Sequence, residues 1–410
     1  MRRCLCLAAL AASILLVVGT QLGCGGSSNA PPSGLDTRVF IAIQSSSISS
    51  LVIANATKDQ LTSNLVQGVG AAPSLMIPGA NNTTLVFASG TVSIVENQKE
   101  ALAAAVTTNC PSGASSCPPT LPAPTESMAA SSDGKFAYAA MPTISQVAVL
   151  ALTATPITVT NIPATLANCA ATNNCLPGAH RVVLSHNNSK LLVFNEGLDQ
   201  FEVINTSDNS VKTVTGTGLD RPSYAVFSAD DSKAYILNCG RECGGTQASV
   251  SVLDTTALTI SQTVPVDAAT IGTSDTNNLY VAGTGPNGGS ATVLPLSSLT
   301  AGKPISIGNG FHQVITLFQN KIIIGARTCS TGCMSIVDPA AGTAVVDSPK
   351  GDVTSITAIT PRKVVYATEG GEVRIYDLTN GQELLNNNTQ LIDVVGTAAS
   401  VLYVGPKTTP

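Results

Sequence analysis

The chain has 410 residues, of which 44% are hydrophobic, 11% charged and 4% aromatic, with 35 glycines, 23 prolines and no tryptophan. That much apolar material over that length buries a large core and excludes a wholly disordered polymer. A formal charge of −5 leaves no basic surplus for neutralising phosphates, which argues against nucleic acid as a partner.

The chain opens on a processing segment rather than on fold. Arg2 and Arg3 precede an apolar run from Leu5 to Val18, the length of a secretory h-region and short for a membrane span. The residues that follow, Gln21-Leu22-Gly23-Cys24-Gly25-Gly26-Ser27-Ser28, resemble a bacterial lipoprotein signal. That resemblance implies a signal peptide over 1–23, diacylglycerol on Cys24, and a membrane partner through the N-terminal lipid; the alternative is an ordinary signal peptide. Gln21 stands where the family pattern usually has Leu. Residues 24–36, rich in Gly, Ser, Asn and Pro, have the composition of a flexible tether behind an anchor. Loss of residues 1–23 removes two arginines and no acid, moving the net charge from −5 to −7. The address expected is the bacterial cell envelope, extracytoplasmic. Ser27 and Ser28 behind the anchor are compatible with an outer membrane.

Cysteine spacing points to the same compartment. Cys4 and Cys6 leave with the signal, and beyond Cys24 the remaining eight fall into close pairs: Cys110 and Cys117, Cys169 and Cys175, Cys239 and Cys243, Cys329 and Cys333. Each pair sits where Gly, Ser, Asn or Pro lets the chain turn back within disulfide reach. A metal site is the alternative, but none of the pairs has C-x₂-C spacing. Local disulfides are expected, stiffening loops rather than holding the fold together.

From residue 37 to 405 the chain repeats. Apolar runs recur at Arg38–Ile43, Leu85–Ala88, Lys135–Tyr138, Lys190–Phe194, Lys233–Leu237, Asn278–Ala282, Lys321–Gly325, Lys363–Tyr366 and Ser400–Val404, about 37 to 55 residues apart, the period range of propeller blades. Turns such as Ser131-Ser-Asp-Gly134, Ser185-His-Asn-Asn188 and Ser228-Ala-Asp-Asp-Ser232 precede them, and alternating strands such as Phe201–Ile204 and Val250–Leu253 follow. The motif Ser-x-Asp-Gly-Lys-x-x-Tyr followed by Val-x-Val-x-Asp resembles the YVTN-type β-propeller repeat. Asp377-Leu-Thr-Asn-Gly381 also resembles the Asp-x-x-x-Gly turn of quinoprotein-like repeats, which would suggest an outer-membrane assembly lipoprotein.

The fold expected is all-β: four-stranded antiparallel blades in a ring, because a blade has two apolar faces and only closure covers them all. Inner strands are expected to begin near residues 73, 125, 180, 222, 267, 311, 352 and 390, which gives eight blades, with seven as the alternative. Residues 390–404 are expected to supply two strands of a blade completed by residues 38–66, and 406–410 form a tail. In this topology the four Cys pairs share one face of the ring. Lys135, Lys190, Lys233, Lys321 and Lys363 lie on the other, as solvated turn residues.

Catalytic signatures are scarce. No Gly-rich phosphate loop opens a helix, Gly283 to Gly289 reads as a hairpin, and neither G-x-S-x-G nor H-E-x-x-H occurs; no cofactor is expected. His186 lies in a turn. The starts of inner strands bring Glu126, His180, Arg181, Arg221, Asp267, His312 and Asp352 toward the channel mouth on the Cys face, where polar groups gather with or without a function. Two readings follow. One is a lipid-anchored envelope propeller that binds an unidentified protein, glycan or small ligand through a stiffened loop face. The other is a periplasmic lactonase- or lyase-like enzyme using a divalent ion held by His180 and His312.

Overall fold

The computed structural model describes residues 31–45, 47–104, 118–163 and 176–405. The expectations for the signal peptide, Cys24, the first part of the tether, Cys110 with Cys117, Cys169 with Cys175, and the 406–410 tail fall outside those residues.

Why the second strand of each blade is a near-continuous apolar run becomes clear from its surroundings. In Arg38–Gln44, Val39, Ile41 and Ile43 enter one core cluster, while Phe40 and Ala42 enter the next. Lys190–Phe194 does the same, with Leu191 and Val193 on one side and Leu192 and Phe194 on the other. A strand buried on both faces has no solvent side, so the period-2 alternation of side chains separates two cores instead of core from water.

Apart from a short hairpin of Leu385–Asn386 with Thr389–Gln390, the strands form eight four-stranded antiparallel sheets. Inner strands of blades 2 to 8 are Pro73–Gly79, Ser127–Ala130, Arg181–Leu184, Pro222–Phe227, Ile271–Ser274, Phe311–Phe318 and Val353–Ile359. Blade 1 takes its inner strand, Thr397–Val404, from the C-terminal end and its other three, Arg38–Gln44, Ser50–Asn55 and Gln60–Gln67, from the N-terminal end. Successive inner strands pack side by side all the way round, and eight large apolar clusters each join one blade to the next. The architecture is the expected eight-bladed propeller. Helical elements among the described residues are 3-10 turns at Pro142–Ile144 and Gly240–Cys243.

Closure differs from expectation in one respect. Residues 390–404 give blade 1 one strand, not two: Arg38 pairs with Val404, Phe40 with Leu402 and Ala42 with Ser400. The apolar run Ser400–Val404 therefore belongs to an inner strand, although it reads like the second strands elsewhere. Ser33 and Leu35, within the segment expected to be a tether, already bond to the ring. Ser33 N–H and Oγ–H donate to Glu100 (2.9 and 2.5 Å), and Arg38 Nη1 donates to Leu35 O (2.7 Å).

The ring has two unlike faces. On one, which we call the turn face, the connections from first to second strands in blades 3, 4 and 5 repeat a single hydrogen-bond pattern. Ser131 Oγ–H donates to Asp133 Oδ1, Ser185 Oγ–H to Asn187 Oδ1 and Ser228 Oγ–H to Asp230 Oδ1 (2.7, 2.9 and 2.7 Å). In each the next residue is left-handed: Gly134 at φ 70°, Asn188 at 62° and Asp231 at 57°, which are the residue types that tolerate this conformation. The second role of that position is to tie blades together. Asn188 Oδ1 accepts from Ser132 N–H (3.0 Å), and the Asp231 carboxylate accepts from His186 N–H (3.1 Å) and Asn187 N–H (2.7 Å). His186, expected in a turn, sits there with Nδ1 2.7 Å from Asp231 Oδ1.

Candidate functional site: the channel mouth

The opposite face, the mouth face, carries the starts of the inner strands and the loops between second and third strands. Both described disulfides are in such loops: Cys239–Cys243 and Cys329–Cys333, with Cα separations of 5.7 and 5.4 Å. The central channel opens here as a cavity of about 950 Å³.

Of the seven expected mouth residues, Glu126, His180, Arg181 and Asp352 line this cavity. Arg181, first in its strand, is the best anchored. Its Nε lies 2.8 Å from Glu196 Oε1, and its guanidinium stands 6.0 Å from the Tyr224 ring centroid and 5.5 Å from that of Phe311. Glu196 reaches it from the loop after Phe194, at φ 61°. An arginine held by a carboxylate and two aromatic faces has a fixed direction, because the planar cation gains from ring contact and from the ion pair in one geometry. Asp352 Oδ1 accepts from Thr328 N–H (2.7 Å), tying the start of blade 8 to the disulfide loop of blade 7.

Three of the expected residues do not face the channel. Arg221, at φ 57°, turns outward to donate to Gly197 O, with Nε 3.8 Å from Asp199 Oδ1. Asp267 lines a shallow depression with Val266, Thr292 and Gly302 instead, and its inner strand starts later than expected, at Ile271. His312 is 1% exposed, packed between blades with Nε2 3.0 Å from Gly308 O. Its Nδ1 has no hydrogen bond and lies 4.0 Å from Glu242 Oε1. Burial lowers the His312 imidazole to about 4 and pushes the Glu242 carboxyl up. The alternation of strand side chains explains the error: Phe311 faces the channel, so its neighbour His312 faces away.

Sequence reasoning missed Glu196, Tyr224, Phe311 and Arg327. Arg327 ends the second strand of blade 7 and pairs with Phe311. Second-strand ends reach the same face as inner-strand starts, so extending the register argument to them would have found it. Its Nε is buried with no hydrogen bond, and its Nη1 lies 4.0 Å from Glu126 Oε2, beyond hydrogen-bond reach. Glu126 stands at the start of blade 3, which is opposite blade 7 in an eight-membered ring, so this loose pair spans the mouth.

Among the described residues, His180 and His312 do not come together as metal ligands. Among the described residues the one cluster of three potential ligands is Cys329, Cys333 and Asp352, and its two sulfurs are bonded to each other. His180 and His312, the pair on which a divalent-ion enzyme would depend, are separated by the facing of their side chains.

No family model matches the chain, and no curated protein does. Solved structures match the fold. The chain is similar to dihydro-heme d1 dehydrogenase NirN in complex with DHE, with a TM-score of 0.62 and 10% identity over 97% of this chain and 86% of that one. It is also similar to the WD40 repeats of RRP9, with a TM-score of 0.51 and 13% identity over 69% of this chain and 84% of that one. Identities this low establish a shared propeller architecture, and function has to be argued from the site.

Proposed function

We propose that this chain is an envelope-tethered β-propeller of YVTN type that acts as a binding scaffold and receives a small ligand at the mouth of its central channel. The observation that carries the binding reading is the mouth itself: a cavity of about 950 Å³ with an immobilised Arg181, set on the face where disulfides close two loops. Loops ordered before binding lose less entropy on association. NirN, the neighbour that matches nearly the whole chain, is described in complex with DHE, which supports a small-molecule role for a ring of this size.

Anchoring through Cys24 fits the same geometry. Ser33, Leu35 and Arg38 bring the chain into the ring on the turn face. The seven residues from Cys24 to Pro31 can span at most about 25 Å. A lipid on Cys24 would therefore hold the turn face toward the bilayer and leave the mouth facing away from it. The divalent-ion enzyme has no comparable support, because His312 is turned into the interior.

Two experiments test this reading. Labelling with a lipid precursor should mark wild type and place it in the membrane fraction, with Cys24→Ala unlabelled and soluble; an unlabelled, soluble wild type contradicts the anchor. For the mouth, the fluorescent dye 8-anilinonaphthalene-1-sulfonate should bind the purified soluble protein. Gln313→Trp, which fills the channel, should abolish that binding at an unchanged melting temperature; dye binding indifferent to this substitution contradicts the mouth as a ligand site.

A further inference from the structure

Resting on the mouth as a binding site, we infer that its ligand carries an oxyanion, a carboxylate, sulfonate or phosphate, on an apolar body, and that Arg327 is the residue that reads it. The argument begins with the donors. A guanidinium offers five N–H groups and cannot lose its charge. Arg181 uses Nε on Glu196 and its faces on Tyr224 and Phe311, so its position is set. Arg327 donates no hydrogen bond, its Nε is buried, and the nearest acid oxygen is the Glu126 Oε2 at 4.0 Å. Arg38, Arg221 and Arg374 also bury an Nε without a hydrogen bond, but each places a terminal nitrogen on an acceptor, Arg38 on Leu35 O and Asn97 O, Arg221 on Gly197 O and Arg374 on Glu383, whereas Arg327 places none. Only the Nε of Arg327 is buried; the rest of its guanidinium faces the cavity with its donors open to an acceptor from outside the protein.

Placement explains why the missing acceptor belongs to a ligand. Phe311 is register partner to Arg327 and is also the ring against which Arg181 lies. Phe311 and Arg327 stand on blade 7, and Arg181 reaches the same phenyl ring from blade 4, so two cations gather about it. Across the channel from Arg327, blades 2 and 3 contribute Leu75, Ile77, Phe87 and Met128 to the lining. A ligand with an apolar, preferably flat body and one oxyanion satisfies both the cations and this apolar lining. The head accepts from Arg327, bidentate geometry being the arrangement in which arginine outperforms lysine, and the body covers the apolar wall.

Glu126 defines the energetics of entry. Its side chain is 77% exposed and that of Arg327 38%, so the pair is solvent-screened and contributes little. The carboxylate can swing into water at small cost when a better-placed oxyanion arrives. Glu126 acts as a tethered competitor for Arg327, and removing its charge should strengthen binding.

The test uses two dyes of similar apolar body on the purified soluble protein: 8-anilinonaphthalene-1-sulfonate, an anion, and N-phenyl-1-naphthylamine, uncharged. Arg327→Gln should weaken the anion about tenfold, the effect of losing a charge-assisted hydrogen bond, and leave the neutral dye within twofold. Glu126→Gln should tighten the anion about threefold, with the neutral dye unchanged. Arg241→Gln, an exposed arginine on the same face whose Nε donates to Thr246 O, should change neither. If Arg327→Gln leaves the anion unchanged, or weakens both dyes alike, the oxyanion assignment is overturned while the mouth survives as an apolar binding site. If neither dye binds in a way that Gln313→Trp blocks, the mouth itself fails as the site.

Discussion

Arg38 on the turn face and Arg327 on the mouth face both point at a glutamate, yet they do opposite things. Arg38 is 1% exposed, 2.9 Å from Glu100, and shares its remaining donors between Leu35 O and Asn97 O. Arg327 is partly exposed, 4.0 Å from Glu126, and donates to nothing. The aspartates and glutamates divide the same way. On the turn face, backbone N–H and serine hydroxyl donors hold Asp133 and Asp230 down at about 2. Toward the mouth face, burial pushes Glu202 and Glu369 up to about 7. Asp220 and Asp347 are mouth-face exceptions, lowered by hydrogen bonds that outweigh their burial. The turn carboxylates are held ionised by local donors, whereas Glu202 and Glu369 toward the mouth are buried with fewer donors to hold their charge.

The largest expected effect breaks or confirms that contrast directly. Arg38→Ala leaves the buried Glu100 carboxylate without its cation and should cost about 3–5 kcal/mol in urea denaturation; Arg327→Ala should cost less than about 1 kcal/mol. Similar losses at the two sites would erase the distinction between the faces.

Next comes the pH profile. Glu202 is raised from 4.5 to about 7 by burial, with the Gln200 hydrogen bond (3.0 Å) opposing. The folded state therefore holds this proton more tightly than the unfolded one, so its contribution to stability is present below the unfolded value and is lost as pH rises from about 4.5 through 7. Glu202→Gln should raise stability at pH 8 by at most about 3 kcal/mol and change little at pH 4. A gain that is equal at both pH values would point to packing rather than charge.

Smaller effects belong to the turn face. Asp231→Ala removes the acceptor that His186 and Asn187 share and should cost about 1–2 kcal/mol by thermal denaturation. Asp133→Asn should flatten the acid limb slightly: a carboxyl lowered on folding stabilises above its unfolded value and loses that contribution as pH falls from about 4 to about 2. No change in the acid limb would remove the turn carboxylates from the account.

What the sequence disclosed follows the same division. The Ser131, Ser185 and Ser228 turns were legible because their hydrogen bonds join residues two to five apart, and the motif spells the donors, acceptors and left-handed position in order. The blade count and the shared disulfide face for Cys239–Cys243 and Cys329–Cys333 followed from topology. Blade 1 was misread because Ser400–Val404 has the apolar character of a second strand, and local composition does not reveal which edge a strand will pair. Arg327 and Phe311 were missed because they meet Glu126 and Arg181 only across the channel, from blades far apart in the chain. His312 was misplaced by one residue of alternation, the smallest error a strand permits and one that turns a side chain from channel to core.

The most direct test of the claim that ligand is received at the mouth uses the absence of tryptophan from the chain. A single tryptophan can be placed at the mouth by Phe311→Trp, or on the turn face by Phe136→Trp, roughly 20 Å away along the strand direction. With 8-anilinonaphthalene-1-sulfonate bound, energy transfer from tryptophan to dye should be strong for Phe311→Trp and weak for Phe136→Trp. Equal transfer from the two positions, or stronger transfer from Phe136→Trp, would place the ligand elsewhere and contradict the account.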